Sequence, residues 1–131
     1  MPQDPLKILI VEDEEQTLKA LAEKFSREGF RIVSARNGEE GLKVAFRERP
    51  DMVLLDILMP RMGGEEMLKE LRQQDWGKDT PVIILTNLSS TERVNKVLAQ
   101  GDYDEFLVKS NWTLADLVKK VKERLGISQK S

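Results

Sequence analysis

Five short apolar runs alternate along the chain with five segments of helical period. The runs are Ile8-Leu9-Ile10-Val11, Ile32-Val33, Met52-Val53-Leu54-Leu55, Val82-Ile83-Ile84-Leu85 and Phe106-Leu107-Val108. The first, third and fourth are apolar over four consecutive residues, the pattern of strands covered on both faces of a parallel sheet. The second and fifth are shorter and bordered by polar residues (Arg31 and Ser34; Asp104 and Glu105), which suits sheet edges.

The intervening segments carry helix signals. Leu18, Leu21, Ala22 and Phe25 recur at helical spacing, and Gly29 follows as a stop. Asn37 is placed to cap a second helix with Leu42, Ala45 and Phe46 as its apolar face, ended before Pro50. A third helix, with Met67, Leu68 and Leu71, starts after Gly63-Gly64. A fourth runs from about Ser90 to Gln100 with Val94, Val97 and Leu98, closing at Gly101. The fifth has the clearest signature: Thr113 and Asp116 form a capping-box pair, and Leu114, Leu117, Val118, Val121 and Leu125 make one stripe. Lys119, Lys120, Lys122 and Arg124 load its C-terminal half, where cations suit the helix dipole.

A (βα)5 alternation with short connections implies right-handed crossovers onto a parallel sheet. With the first strand central and the second at an edge, the expected architecture is α/β, a doubly wound parallel sheet of order 2-1-3-4-5, flavodoxin-like in topology. Functional groups in such sheets gather at the carboxyl ends of the strands.

The ends of four runs meet that expectation. Glu12 and Asp13 follow the first, Asp56 the third, Thr86 the fourth and Lys109 the fifth. Each alone has an ordinary reading: Asp13 as a helix cap, Asp56 as a turn residue before Pro60, Thr86 as a strand former, Lys109 as a solvated end. Their joint position, on strands about 4.8 Å apart, argues for one crevice. Carboxylates within ~4 Å of each other repel by about 4 kcal/mol per pair at an effective dielectric of 20, so a cation is needed there. The 131 residues include neither cysteine nor histidine, so the donors are oxygens and the ion a hard one. Mg²⁺ suits a small carboxylate set better than Ca²⁺, which takes a longer ligand-rich loop. A metal, a lysine and a hydroxyl around a carboxylate are the parts that stabilise phosphoryl transfer onto it.

Composition narrows the classes further. A 40% hydrophobic and 34% charged chain is that of a globular protein with its own core, and a single domain over 1–131 is expected, its core at about 6–125 and a loose tail at 127–131. The net charge of −2, without a basic block, leaves no electrostatic footprint for nucleic acid. No apolar run is long enough for membrane insertion. The start, MPQDPLK, has no cationic stretch followed by an apolar one, so the cytoplasm is the expected compartment.

Four segments, KILIVEDEE (Lys7 to Glu15), VLLDILMPRMGG (Val53 to Gly64), PVIILTN (Pro81 to Asn87) and EFLVKS (Glu105 to Ser110), match a known family in order and spacing. They resemble the receiver domains of bacterial two-component response regulators, and the likeness extends over about residues 6–125. The resemblance implies a phosphoacceptor switch rather than an enzyme. Asp56 is then the phosphoacceptor, taking its phosphoryl group from a phosphohistidine on a sensor histidine kinase or phosphotransfer protein, or from a small acyl phosphate. Asp13 binds Mg²⁺ directly and Glu12 through water, with Asp56 and the backbone carbonyl of Leu58 as further ligands. Thr86 and Lys109 close on the phosphoryl group. Phe106 stands at the position of the aromatic that reports phosphorylation on the face of the fourth helix, fifth strand and fifth helix; its ordinary reading is core packing. That face would bind a downstream protein effector, with self-dimerisation as the close variant, since the chain has no room for a DNA-binding output domain.

The sequence departs from the family at several places. Ser110 replaces the proline that usually follows the lysine, where the family holds a cis bond; before a non-proline residue a cis bond costs about 2.5–4 kcal/mol. Asn87 and Leu58 border the expected site and would modulate the phosphoryl lifetime. Gly63 stands where many members have aspartate. Trp76, in the polar segment QQDWGKDT, is read either as a partner contact or as packing on the third helix, and Trp112 as a staple on the last helix. Three other readings remain: a phosphorylation-incompetent interaction module of the same fold, a flavodoxin-like cofactor binder, and an Mg²⁺-dependent phosphatase with an aspartyl nucleophile. The second needs a Ser/Thr/Gly-rich phosphate loop where Glu12-Asp13-Glu14-Glu15 stands, and the third a DxDxT-like spacing that is missing.

Overall fold

A computed structural model describes residues 5–56, 63–86, 99, 103, 105–108 and 113–127, with the side chains of residues 105, 106 and 108 left aside. Five parallel strands form one sheet: β1 (Lys7–Val11), β2 (Arg31–Ala35), β3 (Met52–Asp56), β4 (Val82–Thr86) and β5 (Glu105–Val108). Their order is β2-β1-β3-β4-β5, with the two expected edge strands at the edges. The register pairs Val11 with Ala35 and Leu55, Asp56 with Leu85, and Thr86 with Val108. The carboxyl ends of all five strands therefore lie at one pole.

Alternation along the strands divides the core in two. Leu9, Val11, Val53, Leu55, Val82 and Ile84 pack with α2 (Gly38–Glu48) and α3 (Gly64–Arg72). Ile8, Ile10, Met52, Leu54, Ile83 and Leu85 pack with α1 (Glu15–Arg27) and the C-terminal helix (Leu114–Leu125). Each fully buried Leu, Ile, Val, Met or Phe contributes about 1.5–3 kcal/mol of transfer free energy. This burial on both faces explains the continuously apolar runs.

Helix ends follow the local chemistry. Asn37 Oδ1 accepts from the Glu40 N–H at 2.8 Å, while the Arg36 N–H donates back to Glu40 Oε1 at 2.7 Å. Thr113 and Asp116 exchange both capping-box bonds. Gly29, at φ 97°, ends α1 in the left-handed region, where a side chain would be strained.

Two expectations need correction. Strand β2 is longer than its apolar pair suggests and runs on through Ser34 and Ala35. The core face of α2 is Gly38, Gly41, Val44 and Ala45, whereas Phe46 is 44% exposed. Gly41 lets α2 approach the rest of the core: a Cβ there would meet Met67 Sδ at 2.8 Å and Val11 Cγ2 at 3.1 Å. The helix is thus turned so that its small residues face inward. Trp76 is half-buried against α2 as well as the core: its ring meets Phe46 edge to face at 5.4 Å and carries the Arg49 guanidinium at 4.6 Å. Arg49, which ends α2 at φ 47°, also donates to the Phe46 carbonyl. The fourth helical segment (Ser90 to Gln100), Ser110 and Trp112 lie outside the described residues.

The polar segment after α3 is held by the side chains of Arg72 and Thr80. Arg72 Nη1 donates to the carbonyls of Gly77 and Thr80, both at 2.7 Å, and Thr80 Oγ1 donates to the Trp76 carbonyl at 3.1 Å. Gly77 lies so close to the Leu71 carbonyl oxygen that an added Cβ would collide with backbone. Gly77→Ala is expected to destabilise the fold by about 1–3 kcal/mol, the usual range for overpacking. A urea denaturation curve checks this: the midpoint falls at an unchanged m-value.

Ion pairs join elements distant in sequence. Lys122 on the C-terminal helix meets Glu28 at 2.9 Å, and Lys7 meets Glu48 at 2.8 Å. The hydrogen bond from Lys122 is the main cause holding Glu28 below its ordinary pKa of 4.5, and that from Lys7 does the same for Glu48. A lowered folded-state pKa means a contribution complete above the unfolded value and lost as pH falls through the folded one. The stability difference between the wild type and Glu28→Gln is therefore expected to be constant above about pH 5 and to shrink below about pH 4. Denaturant midpoints measured from pH 7 to pH 3 provide the check.

Candidate metal and phosphoryl site

The loop from β1 to α1 is fixed through Glu12. Its backbone N–H donates to the Ala35 carbonyl at 3.0 Å, extending the β1–β2 ladder by one residue, and its carboxylate Oε2 accepts from the Glu14 N–H at 3.1 Å. Glu12 is buried, Asp13 exposed. The N-cap of α1 is Glu14, whose carboxylate accepts from Thr17 Oγ1 and makes no cap bond. The capping role that Asp13 could have had is therefore not the one it fills.

Asp56 is the last residue of β3 and is buried at the level that continues from the Val11–Leu55 pair. Continuous burial of Met52 to Leu55 places it there. One carboxylate oxygen from each of Glu12, Asp13 and Asp56 lies within 4.8 Å of the other two. Thr86, the last residue of β4, is buried at the same pole. Four of the expected site residues are thus brought to one end of the central strands. Leu58, Asn87 and Lys109 lie outside the described residues, as does the side chain of Phe106.

The three carboxylates fit a small divalent ion. With Mg–O distances of about 2.1 Å, opposite ligands of an octahedron stand about 4.2 Å apart and adjacent ones about 3 Å. A separation within 4.8 Å needs only small side-chain adjustment to reach that geometry. The donor set is oxygen only, the preference of Mg²⁺.

The family profile of the response regulator receiver domain matches residues 8–122. This chain belongs to that family. It is a receiver domain of the two-component response regulator kind, and its acidic pocket of Glu12, Asp13 and Asp56 fits a phosphoacceptor aspartate with Mg²⁺. Among curated relatives, the alkaline phosphatase synthesis transcriptional regulatory protein PhoP of Bacillus subtilis is 38% identical over 104 residues, which are 79% of this chain and 42% of that protein. The response regulator MprA of Mycolicibacterium vanbaalenii is 36% identical over 99 residues, 75% of this chain and 42% of the relative. The chain spans about two fifths of the length of these relatives.

Among solved structures, the response regulator TrrA of Thermotoga maritima, in complex with Mg²⁺ and BeF, is 37% identical with a TM-score of 0.78, covering 90% of this receiver domain and 97% of that chain. The CheY of a Borrelia burgdorferi CheX–CheY complex with BeF3 and Mg²⁺ is 32% identical, TM-score 0.79, covering 92% and 90%.

One residue of this pole was hidden in the sequence. Because β2 continues to Ala35, the residue at its carboxyl end is Arg36, whose guanidinium Nη1 lies 3.7 Å from Glu15 Oε1 at the start of α1. The signal was the strand-end rule itself, applied to a strand read two residues too short.

Like charges this close are expected to cost stability in the metal-free domain. Asp56→Asn is expected to stabilise it by about 1–3 kcal/mol, the range for one pair at this separation between effective dielectric constants of 80 and 20. Urea midpoints in EDTA would rise for the variant, and added Mg²⁺ would raise the midpoint of the wild type more than that of the variant.

Proposed function

We propose that this receiver domain takes a phosphoryl group on Asp56 and thereby shifts to a conformation that binds a protein partner. The observation that carries the reading is the approach of the Glu12, Asp13 and Asp56 oxygens to within 4.8 Å at the carboxyl ends of adjacent buried strands. A carboxylate oxygen of Asp56 attacks phosphorus. The bond from phosphorus to the donor breaks, its electron pair leaving with the imidazole of a phosphohistidine or the carboxylate of an acyl phosphate.

Glu12, Asp13 and Asp56, with the Leu58 carbonyl, are the residues that would hold Mg²⁺. When bound, the ion neutralises charge developing on the phosphoryl oxygens. Glu12 acts from a fixed position, since its backbone N–H and one carboxylate oxygen are both hydrogen-bonded. The hydroxyl of Thr86 and the ammonium of Lys109 are the groups assigned to the phosphoryl oxygens, and Phe106 is assigned to report the change outward. Asn87 and Leu58 are assigned to tuning the phosphoryl lifetime. Since the chain holds no histidine, any phosphohistidine comes from a partner.

Receiver domains are signalling phosphoacceptors that work with histidine kinases and effector proteins. The finer assignments for this chain are a sensor histidine kinase or phosphotransfer protein as donor, and an effector at the face of the fourth helical segment, β5 and the C-terminal helix. Self-association through that face is the close variant. No helix among the described residues is long and apolar enough to cross a membrane, and cytoplasmic residence is the compartment we assign.

Intact-mass measurement after incubation with acetyl phosphate and Mg²⁺ tests the reading. One added phosphoryl group is expected, absent without Mg²⁺ and absent in Asp56→Ala. A wild type that gains no mass, or an Asp56→Ala variant that gains it equally, would reject it.

A further inference from the structure

Among the described residues at the strand-end pole, Arg36 has no part in the phosphoryl chemistry. The Ala35 carbonyl accepts from the Glu12 N–H, so Arg36 leaves the sheet beside the acidic loop, and its own N–H is tied to Glu40. Strand β2 is separated from β3 by β1 alone. At about 4.8 Å per strand, the Arg36 backbone lies on the order of 10 Å from that of Asp56. The side chain is 59% exposed, and its ion-pair partner Glu15 is 74% exposed. An exposed pair of this kind at 3.7 Å contributes little to stability. Around it the rim is acidic, with Glu12, Asp13, Glu14 and Glu15 in succession.

We propose that Arg36 is a specificity-determining residue of the phosphoryl-accepting site: a permanent cation at its rim that favours capture of dianionic phosphoryl donors and weakens the hold on Mg²⁺. The role rests on the phosphoacceptor reading and adds to it. A small dianionic donor approaching Glu12, Asp13 and Asp56 meets like charge, and a guanidinium one strand beyond the acidic loop offsets part of it. The same positive charge opposes a divalent cation, so the two ligands respond with opposite sign. That opposition separates an electrostatic role from a structural one, since a distorted loop would weaken both.

The test uses Arg36→Ala, Arg36→Lys and Arg36→Glu with two readouts. One is the Mg²⁺ dissociation constant from titration calorimetry. The other is the rate of phosphorylation by acetyl phosphate at saturating Mg²⁺, followed by intact mass. At low ionic strength, removing one charge at this distance in water changes the response to a singly charged ligand about twofold and to a divalent one about fourfold. Arg36→Ala is therefore expected to bind Mg²⁺ about fourfold more tightly and to slow phosphorylation about two- to fourfold. Arg36→Glu should roughly square both effects, Arg36→Lys should stay near wild type, and all differences should fade at about 0.5 M salt, where the screening length is only a few ångströms. Changes in the same direction for both ligands, or differences that persist in high salt, overturn the proposal. A wild type that is phosphorylated while Arg36→Ala matches it in both readouts overturns the role of Arg36 alone. A wild type that gains no mass overturns the phosphoacceptor reading and this role with it.

Discussion

Mutual repulsion among Glu12, Asp13 and Asp56 is the interaction on which the chemistry of this domain depends, and the hydrophobic sheet is what imposes it. No isolated segment would hold three carboxylates within 4.8 Å of one another. They are held because β1 and β3 are parallel neighbours buried on both faces, with Val11 in register with Leu55 just before the acidic residues. Burial of Leu9, Val11, Leu54, Leu55 and their neighbours thus holds three acidic groups together at one pole. Glu12, Asp13 and Asp56 would hold a hard divalent cation there, which would offset their like charge.

The two poles of the sheet are built differently. At the amino-terminal ends of the strands, polar groups satisfy one another. Lys7 bonds Glu48 through its side chain and Asp51 through its backbone, and Arg72 ties down Gly77 and Thr80. Arg49 covers Trp76 while donating to the last turn of α2. At the carboxyl ends, acidic groups converge, and the one ion pair described there, Arg36 with Glu15, is loose and exposed. A pole where acidic groups converge is one whose charge balance a bound cation would change.

Membership of the receiver family sets the chemistry in a wider frame without fixing what lies downstream. The curated relatives are more than twice the length of the segment they share with this chain, so their activities as whole proteins are not carried over. What the shared segment carries is the acidic pocket and the sheet that builds it. A modest coupling of 1–3 kcal/mol between that pocket and a distant face would change partner affinity some 5- to 150-fold, the usual scale for such devices.

Much of this was legible along the chain because the signals are local. Four consecutive apolar residues in β1, β3 and β4 announce burial on both faces, and Asn37, Gly29 and the Thr113–Asp116 pair announce helix ends through bonds made within a few residues. The polar residues at the strand ends were legible too, since each simply follows the last apolar residue of its run. Tertiary structure decided the rest. The azimuth of α2 depends on Gly41 meeting Met67, which turns Phe46 outward although its hydrophobicity argued for the core. Trp76 packs against the core that includes α3, as its position in sequence allowed, but its ring contacts with Phe46 and Arg49 come from α2, which lies well before it. Strand β2 extends through Ser34 because β1 supplies its hydrogen bonds, and an edge strand does not require an apolar side chain at each position. Local composition determines which elements form, since capping and burial preference act residue by residue. Only packing determines how each element is rotated and where it stops, since those depend on surfaces the sequence leaves far apart.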